Sequence, residues 1–360
     1  MSNYSINGKS YNFTELQVLI EQKISNAIVP EWENKIFHFI SDWIRPGRTI
    51  PVTTSGSTGT PRIVDIPKVW MRKSAWLTGR TFNITAKQRA LCCLPVDYIA
   101  GKMMIVRALE LGMDLILVEP SSNLQNMVPG DPIQLAAMVP MQLHSSLEKK
   151  NDLNVLNTIN TLLLGGGRVS LSIRKALDNV DCAVFQTYGM TETVSHVAVR
   201  ALNGTDSTEE YKALKGIQFA STLDNRLIIN APHLSIDSME TTDLVNLLSS
   251  TRFKWLGRVD NIINSGGIKI IPEVVEEKLE QILVGKSYFI GSLPDEKLGE
   301  VVVLMIEDKI WTERRIAHLD EQLFDVLGTY EKPKKTFFLK EFIHTPTGKI
   351  HRSNTMKALL

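Results

Sequence analysis

Thr53-Thr54-Ser55-Gly56-Ser57-Thr58-Gly59-Thr60-Pro61-Arg62 is the stretch on which the reading of this chain turns. It is built almost wholly of Ser, Thr and Gly. Small residues let backbone N–H groups approach an anion closely, and hydroxyls add further donors, so such a loop can wrap a triphosphate. The spacing is not that of the Walker loop, which needs Gly, four residues, then Gly-Lys-Ser/Thr. Here Gly56 and Gly59 are two residues apart and Arg62 follows Pro61. If the loop grips phosphate, it does so in a nucleotide fold other than the P-loop NTPases. On composition alone the same run is more often a surface turn or linker than a phosphate cradle.

The segments after the loop alternate. Helical spacing marks 69–81, 101–111 and 170–177. Short apolar runs at 90–94, 115–118, 161–164 and 182–187 read as strands, and 133–147 reads mostly as helix, interrupted at Pro140. Upstream, 13–25 and 30–44 also read as helices. Such alternation predicts an α/β architecture with a mostly parallel sheet, whose ligands sit at the carboxyl ends of the strands. Two loops fall there: Gly165-Gly166-Gly167 after one strand, and Tyr188-Gly189-Met190-Thr191-Glu192 after another. From about residue 204 short strands dominate (216–219, 226–230, 253–255). A compact α+β unit follows, with helices at 272–283 and 311–327 and strands at 288–291 and 301–307. The pattern places a domain boundary at Gly257-Arg258, giving a large domain of residues 1–257 and a small one of residues 258–360.

Composition narrows the rest. A length of 360 residues is comfortable for two domains. A net charge of +1 supplies no general pull toward nucleic acid or membrane. Cys92, Cys93 and Cys182 have no metal spacing; the adjacent pair lies in an apolar run and reads as buried filler. The first residues lack the charged and apolar regions of a signal peptide, and no apolar run approaches the roughly 18 residues of a membrane span. The expectation is a cytoplasmic protein without membrane insertion.

Five segments then line up in order: Thr54 to Pro61; Gln186-Thr187-Tyr188-Gly189-Met190-Thr191-Glu192-Thr193; Thr241-Thr242-Asp243; Gly257-Arg258-Val259-Asp260 through Ser265-Gly266-Gly267; and Pro346-Thr347-Gly348-Lys349-Ile350. Together they resemble the acyl-adenylate-forming superfamily of acyl- and aryl-CoA ligases. Within it the chain is most similar to short o-succinylbenzoate–CoA ligases of menaquinone biosynthesis, through Tyr188 to Thr193 with Val194-Ser195-His196, and through Tyr98-Ile99-Ala100-Gly101-Lys102-Met103-Met104. The resemblance implies a mobile C-terminal domain and three bound molecules, ATP with Mg²⁺, an aryl carboxylic acid, and CoA.

It also implies roles. Thr54, Ser55, Gly56, Ser57, Thr58 and Gly59 would hold the β- and γ-phosphates, with Arg62 where relatives carry Lys. Glu192 would be the Mg²⁺ ligand and Thr191 a phosphate contact. Gly165, Gly166 and Gly167 would pass beneath the adenine, and Tyr188 with Gly189 would flank it. Asp243 would accept the two ribose hydroxyls, although the Gly usual before it is Thr242 here. Arg258 would help bind the nucleotide and Asp260 would be the hinge. Lys349 would bridge the substrate carboxylate and the α-phosphate. Ser265, Gly266 and Gly267 would line the pantetheine tunnel, and Lys332, Lys334 and Lys335 could meet the phosphates of CoA. For the acid, Lys102, Arg107, His196 and Arg200 are the cations or donors in the relevant segments, Lys102 and His196 foremost. Asp97-Tyr98 stands where relatives have an aromatic or His pair. Without the motifs Lys349, Arg258 and Asp260 read as surface charges, Lys332, Lys334 and Lys335 as a solvated loop, and Tyr188 and the glycines as ordinary packing and turns.

The resemblance further expects many more residues before the phosphate loop than the 52 present. A reduced sheet there leaves an edge that a homodimer could cover. Two rivals stay open: the same adenylation with another acid or a carrier-protein thiol as acceptor, and a non-catalytic binding protein derived from such a fold.

Overall fold

A computed structural model of the chain describes residues 4–54, 62–122, 124, 130–345 and 349–359. The elements in order are β1 (Tyr4–Ile6), β2 (Lys9–Tyr11), α1 (Phe13–Ser25), α2 (Glu31–Ile44), β3 (Thr49–Thr54), β4 (Arg62–Pro67), α3 (Lys68–Thr81), β5 (Arg89–Cys92), α4 (Ile99–Glu110) and β6 (Asp114–Leu117). Then come β7 (Ile133–Met138), α5 (Pro140–Leu147), α6 (Lys150–Leu156), β8 (Ile159–Leu164), α7 (Leu171–Ala176), β9 (Ala183–Gly189), β10 (His196–Ala201) and β11 (Tyr211–Ala213). The remainder holds β12 (Gln218–Ser221), β13 (Arg226–Ala231), β14 (Ile236–Ser249), β15 (Arg252–Arg258), β16 (Ile263–Ser265), β17 (Ile268–Ile270), α8 (Pro272–Leu279), β18 (Tyr288–Asp295), β19 (Gly299–Glu307), α9 (Glu313–Val326), β20 (Lys335–Leu339) and α10 (Arg352–Lys357).

The chain divides into two compact units. One comprises residues 1–169, 173–218 and 230–237; the other comprises residues 170–172, 219–229 and 238–360. In the first, the sheet runs β11-β10-β9-β8-β7-β5-β6-β1-β2. The ladders from β9 through β8, β7, β5 and β6 to β1 are parallel, and the flanking strands β10, β11 and β2 are antiparallel. Leu91, Ile133, Ala136, Leu162, Leu164 and Val184 build the core across these strands. The parallel arrangement puts the carboxyl ends of β8 and β9 side by side, which brings Gly165–Gly167 and the Gly189–Glu192 loop to one edge.

One element departs from its expected form. Residues 133–138 were expected in a helix and instead form β7, paired parallel to β5 and β8. Four of its last five residues are buried, so it is an apolar run covered on both faces, which hydrophobic spacing cannot tell from a buried helix. Pro140 then opens α5 at the helix's first turn, where a missing N–H leaves no bond unmade.

β3 and β4 form a two-stranded hairpin that brings Thr54 opposite Arg62. Its root is anchored by Lys68, a buried ammonium that donates to the carbonyls of Asp42, Trp43 and Arg45 at 2.6, 3.0 and 2.8 Å. A cation there satisfies the open carbonyls at the end of α2.

In the second unit, β14 pairs antiparallel with β15, Asp243 opposite Arg258. A separate sheet joins β17, β16, β19 and β18 antiparallel, with β20 parallel to β19. Helices α8 and α9 cover it through Val275, Leu279, Leu319 and Leu323. This is the α+β unit that the sequence predicts.

Candidate active site

In the first unit the loop from β9 to β10 is built tightly. A Cβ on Gly189 would lie 2.3 Å from the Ser195 carbonyl oxygen, so only glycine lets the two backbones pass. Thr193 is buried; its Oγ1 accepts from Met190 N–H at 3.0 Å and donates to Ser195 O at 2.8 Å. Val194, fully buried, has φ +66°, a rare state for a β-branched residue. The outcome is a fixed turn with Glu192 exposed and Ser195 directed inward.

Beneath that turn lies a buried cation. Arg107 on α4 is 3% exposed. Its Nη2 donates to Ser195 Oγ at 2.6 Å, its Nε to Thr78 Oγ1 at 3.2 Å, and Nη2 stands 3.4 Å from His196 Nδ1. His196 Nε2 in turn lies 3.3 Å from Thr78 Oγ1. Among the described residues, no carboxylate forms an ion pair with Arg107. Burial pulls the guanidinium pKa down to about 10. His196 is held well below its ordinary value by burial first and Arg107 second, so it is neutral at pH 7.

The other candidates of this unit are placed separately. Gly165–Gly167 follow β8, where Thr187 Oγ1 donates to Leu164 O at 3.0 Å and Gln186 Nε2 to Gly167 O at 3.0 Å. Tyr188 is buried, its ring and that of Tyr211 forming an edge-to-face pair with centres 5.7 Å apart. Lys102 turns its ammonium to the Val96 carbonyl and lies 5.4 Å from the Phe39 ring centre; burial lowers its pKa, against Asp97 and Asp42. Arg200 donates twice to Gln186 Oε1 and pairs with Glu209. Arg62 is exposed on β4, and Ser55, Gly56, Ser57, Thr58 and Gly59 lie outside the described residues, as do Pro346, Thr347 and Gly348.

The second unit gathers a charged group of its own. Asp243 is 7% exposed and accepts from Trp255 Nε1 at 3.0 Å. Arg258 reaches it at 3.8 Å and also pairs with Asp260 at 2.9 Å. Lys349 is exposed and feels the charges of Arg258 and Asp243. The pKa of its ammonium is lowered, chiefly by partial desolvation, then by Arg258, with Asp243 opposing. Gly266 and Gly267 form the exposed turn between β16 and β17. Lys334 and Lys335 line two adjoining clefts of about 450 and 530 Å³, and Lys332 stands 3.3 Å over the Phe324 ring in the first.

Thr78 and Ser195 carry part of this arrangement and were not singled out from sequence; Arg107 ranked behind Lys102 and His196. One signal was legible: Arg107 interrupts the apolar run Met103-Met104-Ile105-Val106 on α4. Its partners come from other elements, which no spacing reveals. Among the described residues no cluster of three or more His, Cys, Asp or Glu is placed to hold a metal, and no helix is long and apolar enough to cross a membrane. A single exposed Glu192 fits a hard cation held mainly by phosphate oxygens and water rather than by a protein cage.

Residues 51–219 match the family of AMP-binding enzymes. An acyl-CoA synthetase (AMP-forming)/AMP-acid ligase II-like protein from Dyadobacter fermentans is 34% identical, with 97% of this chain and 99% of that one covered, at a TM-score of 0.63. The chain therefore belongs to the AMP-binding, acyl-adenylate-forming superfamily, and within it to the AMP-forming acyl-CoA ligase type. The 2-succinylbenzoate–CoA ligase of Listeria monocytogenes is 23% identical over 92% of this chain and 74% of its own length. The o-succinylbenzoate CoA synthetase of Bacillus subtilis, solved with its acyl-adenylate intermediate, shares the fold at 23% identity, a TM-score of 0.70, and coverage of 85% of this chain and 68% of that one.

Proposed function

We propose that this enzyme activates an aryl carboxylic acid bearing a second carboxylate, o-succinylbenzoate first among candidates, and transfers its acyl group to CoA, as menaquinone (vitamin K2) biosynthesis requires. The observation that carries the reading is Arg107: a buried guanidinium held by Ser195 and Thr78, with no carboxylate paired to it among the described residues. A buried charge without a counter-charge is costly, and a ligand carboxylate supplies one. The succinylbenzoate ligases among the relatives point to the same class of acid.

A carboxylate is a poor electrophile. Its attack on the α-phosphate of ATP expels pyrophosphate and leaves an acyl-adenylate; a thiol then attacks the acyl carbon and expels AMP. The first step brings two anions together, so cations aimed at the developing charge govern it. Lys349 fills that role. Asp243, a buried carboxylate with two acceptor oxygens, takes the ribose hydroxyls, and Arg258 steadies it. Glu192 and Thr191 serve the phosphates. Mg²⁺ bound there would offset phosphate charge, with Glu192 as its protein ligand. Lys332, Lys334 and Lys335 suit the phosphates of CoA, which favours CoA over a carrier-protein thiol. Residues 258–360 act as the mobile domain, turning at Asp260.

The test is AMP and pyrophosphate release over a panel of acids (o-succinylbenzoate, benzoate, anthranilate, malonate, acetate) with and without CoA. The expected result is CoA-dependent AMP release, strongest with o-succinylbenzoate. Preference for benzoate over the two-carboxylate acid would remove the role given to Arg107. Acid-dependent pyrophosphate exchange with no AMP release on adding CoA would return the carrier-protein reading.

A further inference from the structure

Lys349 is paired with the segment just before it. His344 and Ile350 bridge antiparallel, Thr345 N–H donates to Lys349 O at 2.7 Å, and Lys349 N–H donates to Thr345 Oγ1 at 3.1 Å. One side of this pairing is tied down where Ile343 N–H donates to the buried Thr355 Oγ1 at 3.1 Å. The other side is tied three residues beyond Lys349, at Arg352.

Arg352 meets Glu276 of α8 through both nitrogens, Nη1 to Oε1 at 2.8 Å and Nη2 to Oε2 at 2.9 Å. It also donates to the Ile290 carbonyl at 3.2 Å, while Glu276 Oε1 accepts the Ile290 N–H at 2.8 Å. The pair thus clasps both backbone groups of one residue of β18. Glu276 is buried, and Phe289 lies under the guanidinium at 5.6 Å. Glu273, a turn earlier on α8, stands 3.7 Å from Arg352 and binds Asn261, the neighbour of Asp260. A planar fork matched to a carboxylate fixes direction as well as distance, which a point charge does not.

We infer that Arg352 is a positioning residue for Lys349: its clasp on Glu276 and Ile290 sets where the ammonium is presented. The inference rests on the reading of Lys349 as the adenylation cation. A displacement of about 1 Å in a positioned group can cost roughly a hundredfold in rate.

The experiment compares Arg352→Gln, Arg352→Lys, Lys349→Ala and Lys349→Ala/Arg352→Gln, all assayed well below their melting temperatures. Pyrophosphate exchange is measured with ATP and o-succinylbenzoate, or the acid of the panel that supports exchange, and thioester formation is measured from supplied acyl-adenylate. Arg352→Gln is expected to lower kcat for exchange by tenfold to about a hundredfold with KM for ATP unchanged. Arg352→Lys should restore part of the loss, and thioester formation should hold near the parent rate. Because Arg352 acts through Lys349, Arg352→Gln should add nothing once Lys349 is Ala. A further fall in the double variant, or equal losses in both half-reactions, would overturn the inference and mark Arg352 as structural only. If Lys349→Ala itself exchanges at the parent rate, the reading of Lys349 fails and the inference with it. If Lys349→Ala is crippled but Arg352→Gln is not, the inference alone fails.

Discussion

Two arginines of this molecule are held in opposite ways, Arg107 buried and Arg352 half-buried. Arg107 is surrounded by neutral partners, the hydroxyls of Ser195 and Thr78 and the ring of His196, and its pKa is pulled down by burial alone. Arg352 is gripped by two carboxylates, Glu276 bidentately and Glu273 at 3.7 Å. A guanidinium whose charge is matched inside the fold is part of the scaffold. One whose charge is unmatched is costly to keep, and the cost is recovered when an anionic ligand arrives. The difference separates a clasp from a binding group, although both residues are equally arginine in the sequence.

The largest expected effect tests whether the clasp serves chemistry at all. Lys349→Ala should slow pyrophosphate exchange by roughly a thousandfold, the scale of losing one charge-stabilising group, and leave thioester formation from supplied adenylate largely intact. Next, Arg107→Met should cut kcat/KM for o-succinylbenzoate by about a hundredfold while benzoate changes little, since truncating one side of a buried charge pair costs about 2–5 kcal/mol. Equal losses for both acids would break the comparison. Stability should then diverge in sign. Arg352→Met strands Glu276 and Glu273 and should destabilise by about 2 kcal/mol, reduced from the deeper-buried case because the arginine side chain is 26% exposed. Arg107→Met removes a charge unmatched among the described residues and should leave the unliganded protein as stable or slightly more so, as read by denaturant midpoints.

The smallest effect is on pH. His196 has its pKa depressed in the folded state, so between that value and the ordinary one only the unfolded chain binds the proton. Stability should fall as pH drops below about 6.5 and recover above it. His196→Gln should flatten that limb of a melting-temperature profile. An unchanged slope would place the acid sensitivity elsewhere.

Much of the fold was legible. Residues 13–25 form α1 as the spacing predicts, closed by Asn12 and Glu15 in a reciprocal cap. The alternation after residue 68 gave the parallel sheet and its carboxyl edge. Residues 133–138 were not legible, because an apolar run covered on both faces carries no period. In the site, Asp243 and Arg258 were named from their motifs, and their pairing across β14 and β15 followed from the fold. Lys102, favoured for the acid, turns its ammonium to the Val96 carbonyl, and Arg107 on the same helix faces Ser195 and His196.

By itself the sequence determined the superfamily, through five ordered motifs, and with it the chemistry to look for. It also determined the elements wherever local spacing, caps and glycines dictate backbone state. Only the tertiary structure decided which cation is matched and which is not. Charge balance is a property of what surrounds a group within a few ångströms, and for Arg107 and Arg352 those surroundings come from residues 29 to 89 and 62 to 79 positions away.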